Sequence, residues 1–135
     1  MPNFARILYY LAKAMKRPSW NMDRLRRYQE KRLRSVVRYA YNFVPLYREK
    51  FRKARVMPHE IKTLEDLAKL PIVRKDEMRL QNPRNLVSTE FDINKLKMER
   101  TSGSTGQPFA TYMCSLEDDW RKAIYMRANI SCGQK

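Results

Sequence analysis

The residues best suited to chemistry lie close together. Thr101-Ser102-Gly103-Ser104-Thr105-Gly106-Gln107-Pro108 places four hydroxyls and two of the chain's three glycines in eight positions. Glycine lets successive backbone N–H groups turn toward one point, and hydroxyls add donors beside them, a combination suited to wrapping phosphate oxygens. The spacing differs from the G-x-x-x-x-G-K-[ST] phosphate loop, because two residues separate Gly103 from Gly106 and Gln107-Pro108 follows. Pro108 also prevents an immediate helix, so a helix N-terminus is not the anion cradle here. Composition alone leaves a second reading open, a Ser/Gly-rich hairpin turn with no ligand.

Other candidates are sparse. The single histidine, His59, stands beside Pro58 and Glu60 and reads as a loop residue. Cys114 and Cys132 give neither a disulfide framework nor metal-ligand spacing. Cys114 falls in a strand candidate and reads as packing, since no second histidine could activate it as a nucleophile. A reducing, cytoplasmic setting is the expectation.

The elements that must position the loop follow from periodicity. Phe4, Ile7, Leu8, Leu11 and Met15 repeat at helical spacing, with Arg6, Lys13 and Lys16 opposite. Two readings follow: a helix packed on the rest of the fold, or one lying on an anionic membrane with Tyr9, Tyr10 and Trp20 at the interface. Pro18 ends it. Asn21 or Asp23 is placed to cap a long helix whose apolar stripe is Leu25, Tyr28, Leu33, Val36, Val37, Ala40 and Tyr41. Its polar face is almost purely basic: Arg24, Arg26, Arg27, Lys31, Arg32, Arg34 and Arg38.

Pro45 breaks that helix, and a short one with Leu46, Tyr47 and Phe51 inward is expected to follow. Thr63 to Asp66 has the form of a helix start, Thr63 capping and Asp66 reaching back, with Leu64, Leu67 and Leu70 buried. Another short helix is expected over about Lys75 to Leu80. After Pro83 the pattern reads as a loop feeding a strand at 97–101. A second strand is expected at Phe109 to Met113. Ser115 should cap a last helix with Glu117, Asp118 and Asp119 in its first turn, where the dipole favours acids, and with Trp120 and Ile124 inward. The fold class expected is α+β: a helical N-terminal half, a β-hairpin around the loop, then a helix.

At 135 residues the chain is about one domain, and its 43% hydrophobic content suits a globular fold. The net charge of +15 is uneven: residues 1–55 hold 16 Lys/Arg against three Asp/Glu, so +13 of it lies there. Such a face meets solvent, an acidic protein surface, nucleic acid or an anionic membrane. The longest apolar run, Ile7 to Ala12, falls far short of the ~20 residues that span a bilayer, and no cleavable leader is evident.

The loop closely resembles the signature phosphate loop of the adenylate-forming enzymes, a Ser/Thr/Gly-rich run closing with Gly-x-Pro. Two further stretches resemble the phenylacetate–CoA ligase group, with its capsule-biosynthesis ligase-like and methanogen coenzyme-adenylating relatives. Arg38-Tyr39-Ala40-Tyr41-Asn42-Phe43-Val44-Pro45-Leu46-Tyr47-Arg48 is similar to that group's YAYENVPFYR. Leu64-Glu65-Asp66-Leu67-Ala68-Lys69-Leu70-Pro71-Ile72, with Lys75-Asp76 after it, is similar to LEDLAKLPILTKED. The resemblance implies an N-terminal piece of an α/β ligase domain. An amphipathic helix would occupy 1–20, a helical subdomain 21–96, and the start of the AMP-binding domain 97–135.

It also implies a reaction. A carboxylate attacks the α-phosphate of ATP, giving acyl-AMP and pyrophosphate, and coenzyme A then displaces AMP. Thr101, Ser102, Gly103, Ser104, Thr105 and Gly106 would hold the β- and γ-phosphates, with Mg2+ sharing their charge. Many relatives carry lysine where this chain has Phe109. The adenine site, the acidic magnesium ligand and the catalytic lysine of the lid are expected beyond Lys135, so the chain alone is expected to be inactive. A small carboxylic acid is the remaining substrate the resemblance implies; the charge of residues 1–55 points separately to an anionic surface, and exposed strand edges and apolar helix faces to self-association. The setting is cytoplasmic or peripheral at a membrane.

Overall fold

In the computed structural model the described residues are 2–100 and 109–133. The fold is α+β, dominated by helix. In chain order the elements are α1 (Phe4–Met15), α2 (Met22–Phe43), α3 (Pro45–Lys53), α4 (Lys75–Arg79), α5 (Pro83–Leu86), β1 (Lys97–Arg100), β2 (Ala110–Met113) and α6 (Ser115–Ser131). Short 3-10 turns lie at Arg17–Ser19, Pro58–Glu60, Glu65–Lys69 and Ile93–Lys95. The chain divides into two compact units: Met22–Asn94, and the pair of segments Met1–Asn21 and Lys95–Lys135.

The Met22–Asn94 unit is built on α2. Pro45 removes an N–H and forces Val44 into extended backbone (φ −111°, ψ 110°), so the helix stops and α3 starts with proline at its first turn. The carbonyls freed at the end of α2 find a partner in Arg48, which donates to Tyr41 O at 2.9 Å and also to Asn42 O. The core is Val37, Phe51 and Ile61, flanked by Leu33, Tyr41, Val56 and Leu70, and the Tyr41 and Phe51 rings stack 6.0 Å apart.

α3 ends in a left-handed residue, Arg55 (φ 55°), with Val56 N–H bonded to Phe51 O and Arg55 N–H to Arg52 O. That pairing turns the chain back toward α2. Asp66 accepts from the N–H groups of Lys62 and Thr63, both at 2.9 Å, so the acid reaches back as its spacing suggested. The turn it opens is 3-10, with Leu64 rather than Thr63 at the capping position and Leu67 half exposed. After Pro83 the expected loop contains a turn of helix, α5, because proline at a first helical position and Asn82 accepting from Arg84 N–H start one cheaply.

In the other unit α1 packs along α6, and β1 pairs antiparallel with β2 in the register Lys97↔Met113, Met98↔Tyr112, Glu99↔Thr111, Arg100↔Ala110. Asn3 caps α1 by accepting from Arg6 N–H at 3.1 Å. The apolar stripe of α1 is wider than α6 can cover. Ile7 and Ala14 are buried, whereas Phe4, Leu8 and Met15 are exposed. Ser115 is the first helical residue of α6, and Cys114 holds the extended cap position before it. Trp120, expected inward, faces out, and Asp119 and Ala123 take the buried face.

Candidate functional site: the hairpin that carries the hydroxyl-glycine loop

Thr101, Ser102, Gly103, Ser104, Thr105 and Gly106 lie outside the described residues. What is described is the frame that carries them. β1 delivers the chain at Arg100 and β2 takes it up at Ala110, and these two residues are register partners. The segment between them therefore leaves and re-enters the hairpin one strand spacing apart, about 5 Å.

Side chains tie this frame to α6. Arg121 donates to Glu99 Oε2 at 2.9 Å, and Lys97 reaches Glu99 Oε1 at 2.8 Å. Lys97 first, and then Arg121, hold the Glu99 carboxyl below its ordinary range, so it is ionised at neutral pH. Met113 is buried at the end of β2, and Cys114, half-buried, joins the strand to the helix. Thr111 donates its hydroxyl to Glu99 O across the hairpin at 3.4 Å.

α6 is in turn tied to α1 through Asp119. This carboxylate is 1% exposed. It accepts Arg6 Nε at 2.7 Å and the Asn3 N–H at 3.3 Å. The sequence marks Asp119 as one of three acids favoured by a helix dipole. Only its position on the Ala123 face, four residues before that alanine, distinguishes it from Glu117 and Asp118, and that face becomes readable once α1 is seen against it. A chain of contacts thus runs from α1 through α6 to the paired strands β1 and β2.

Among the described residues, no group of three or more His, Cys, Asp or Glu side chains could hold a metal ion. No helix among them is long and apolar enough to cross a membrane. His59 sits in the Pro58–Glu60 turn, in the other unit from the hairpin.

No family model matches the chain. Curated proteins do. It is 35% identical over 116 residues to a phenylacetate–coenzyme A ligase of Pseudomonas putida, covering 85% of this chain and 26% of that protein. The same enzyme of Aromatoleum evansii is 34% identical over 118 residues, 84% of this chain and 26% of the relative. That of Escherichia coli (strain K12) is 30% identical over 105 residues, 77% and 24%. A helical frame carrying a hairpin, matched at this identity, makes the chain a homologue of adenylate-forming ligases. Over most of its length the chain is homologous to phenylacetate–coenzyme A ligases, and it spans about a quarter of the length of the curated relatives it matches.

Proposed function

We propose that this chain is the N-terminal portion of an ATP-dependent carboxylate–coenzyme A ligase, and that Thr101 to Gly106 bind the β- and γ-phosphates of ATP. The observation that carries the reading is the pairing of two facts. A run of four hydroxyls and two glycines bridges adjacent strand ends, and the chain around it is homologous to acid–coenzyme A ligases. The amides of Gly103 and Gly106 and the hydroxyls of Thr101, Ser102, Ser104 and Thr105 supply neutral donors. Such donors stabilise the charge that collects on pyrophosphate as it leaves the α-phosphate. Magnesium enters with the nucleotide and shares that charge. Residues 97–135 are the start of the nucleotide-binding domain in this reading. The carboxylic acid and coenzyme A are substrates of the whole protein, which works in the reducing cytoplasm.

Titration of the chain with Mg·ATP tests it. Weak saturable binding is expected in the backbone amide NMR signals of Gly103 and Gly106, and replacing Ser102, Ser104 and Thr105 together by alanine should abolish that response. ATP–pyrophosphate exchange by the chain alone should be undetectable. Binding that survives the triple replacement unchanged would overturn the loop's assignment.

A second reading is favoured by the one-sided charge of α2. Arg27, Lys31, Arg34 and Arg38 are all exposed along one side of it. This face would meet an anionic surface through many weak contacts. Its signature is attraction that falls steeply with added salt, and salt-independent or absent binding rules it out.

A further inference from the structure

Within the Met22–Asn94 unit, a cleft of about 380 Å³ opens between the second half of α2 and the turn that follows α3. Its lining is Arg34, Arg38, Pro58, His59, Ile61 and Lys62. That volume lies in the range of small-molecule sites. Four of its six residues carry cationic or protonatable side chains, and none is a carboxylate.

The concentration of charge is built by the fold. Arg34 and Arg38 stand one turn apart on α2, a spacing at which like charges repel. Arg34 Nη1 donates to Lys62 O at 2.7 Å, pinning residues 58–62 against the helix. Ile61, fully buried in the core, anchors the same segment from below.

The neighbouring acids are engaged elsewhere. Glu60 accepts Met57 N–H at 2.6 Å. Asp66 accepts the N–H groups of Lys62 and Thr63 and the Lys69 ammonium. Glu65 and Glu30 both pair with Arg26. Arg38, His59 and Lys62 have no side-chain hydrogen bond or ion pair among the described residues. Clustered cations with an apolar floor and no internal counter-charge are stabilised by an anion from outside.

We propose that this cleft binds a phosphate group, with Arg38 and the remaining donors of Arg34 on its oxygens and His59 and Lys62 closing the other side. Two guanidinium forks favour a multiply charged oxyanion over a single carboxylate, because each matches two oxygens at once. The proposal stands apart from the loop at 101–106 and does not depend on it. It also differs from a diffuse basic face, since two of its four groups, His59 and Lys62, lie outside α2.

The chain's single histidine makes the test direct, because His59 gives the only imidazole signals in its proton NMR spectrum. Inorganic phosphate and inorganic pyrophosphate are titrated into the whole chain, with sodium chloride holding ionic strength constant. The His59 ring protons should move along a saturable curve, at lower concentration for pyrophosphate. Arg38→Gln should weaken that binding about tenfold or more, the usual worth of a charged hydrogen bond. Arg32→Gln, on the opposite side of α2, should leave it unchanged.

Vesicles containing phosphatidic acid form a second arm. A saturable His59 response to vesicles identifies a lipid headgroup as a source of the phosphate, and a response to the free anions alone identifies a soluble one. Three results overturn the proposal: no saturable response in either arm, an equal response to sodium acetate, or equal weakening by Arg32→Gln.

Discussion

The Arg6 guanidinium and the Asp119 carboxylate meet at 2.7 Å across 113 positions of sequence, and they join the first helix of the chain to the last. The pair is unequal. Asp119 is almost fully buried, whereas the side chain of Arg6 keeps 28% of its exposure. Removing the arginine strands a charge away from water, while removing the acid leaves a cation that can reach solvent. Arg6→Ala is therefore expected to destabilise the α1–α6 unit by ~3 kcal/mol, and Asp119→Ala by less. Urea unfolding followed by the fluorescence of Trp20 and Trp120, both in that unit, measures both, and equal costs would show that burial does not set the difference.

Arg55 holds a left-handed backbone at the end of α3. A side chain in that region costs about 1 kcal/mol, and glycine avoids the cost. Arg55→Gly is expected to raise stability by about 0.5–1 kcal/mol. The gain is smaller than the strain because glycine also frees the unfolded chain. A fall in the urea midpoint would contradict this.

Ile61 is fully buried and joins Val37 and Phe51 at the centre of the Met22–Asn94 unit. Ile61→Ala should cost ~3 kcal/mol, the sum of lost burial and the cavity left behind. Exposed Ile72, replaced in the same way, should change stability by less than about 0.5 kcal/mol. Circular dichroism melts of the two variants give the comparison.

Asp66 titrates well below the ordinary carboxylate range. The Lys69 ammonium is the largest cause, followed by the Thr63 and Lys62 N–H groups. The folded state thus binds this proton less readily than the unfolded chain. Its stabilisation is complete above the unfolded value, near pH 4, and is lost as pH falls toward the depressed folded value. Asp66→Asn should lower stability at pH 7 and make the decline on acidification shallower. An unchanged acid limb would show that other carboxylates, such as Glu77 beside Lys50, dominate it.

Local rules made much of this chain legible. Proline at 18 and 45, apolar residues at helical spacing in 4–15 and 25–41, and alternation on either side of a glycine-bearing loop fix the longer helices and the hairpin within a few residues of where they stand. The loop's hydroxyls and glycines, and the ligase resemblance, are likewise properties of consecutive residues. They depend on backbone preference and spacing, which act over a handful of positions. Which side of each helix is covered depends instead on the width and angle of its neighbour. Sequence spacing put Phe4 and Leu8 on the apolar stripe of α1 and Trp120 inward, and the structure leaves all three exposed. It also drew Asp119 from a row of acids into the interior. The meeting of Arg34 and Arg38 with His59 and Lys62 arises in the same way. Segments more than twenty residues apart are brought together by the turn after α3 and the burial of Ile61, and no local pattern records that encounter.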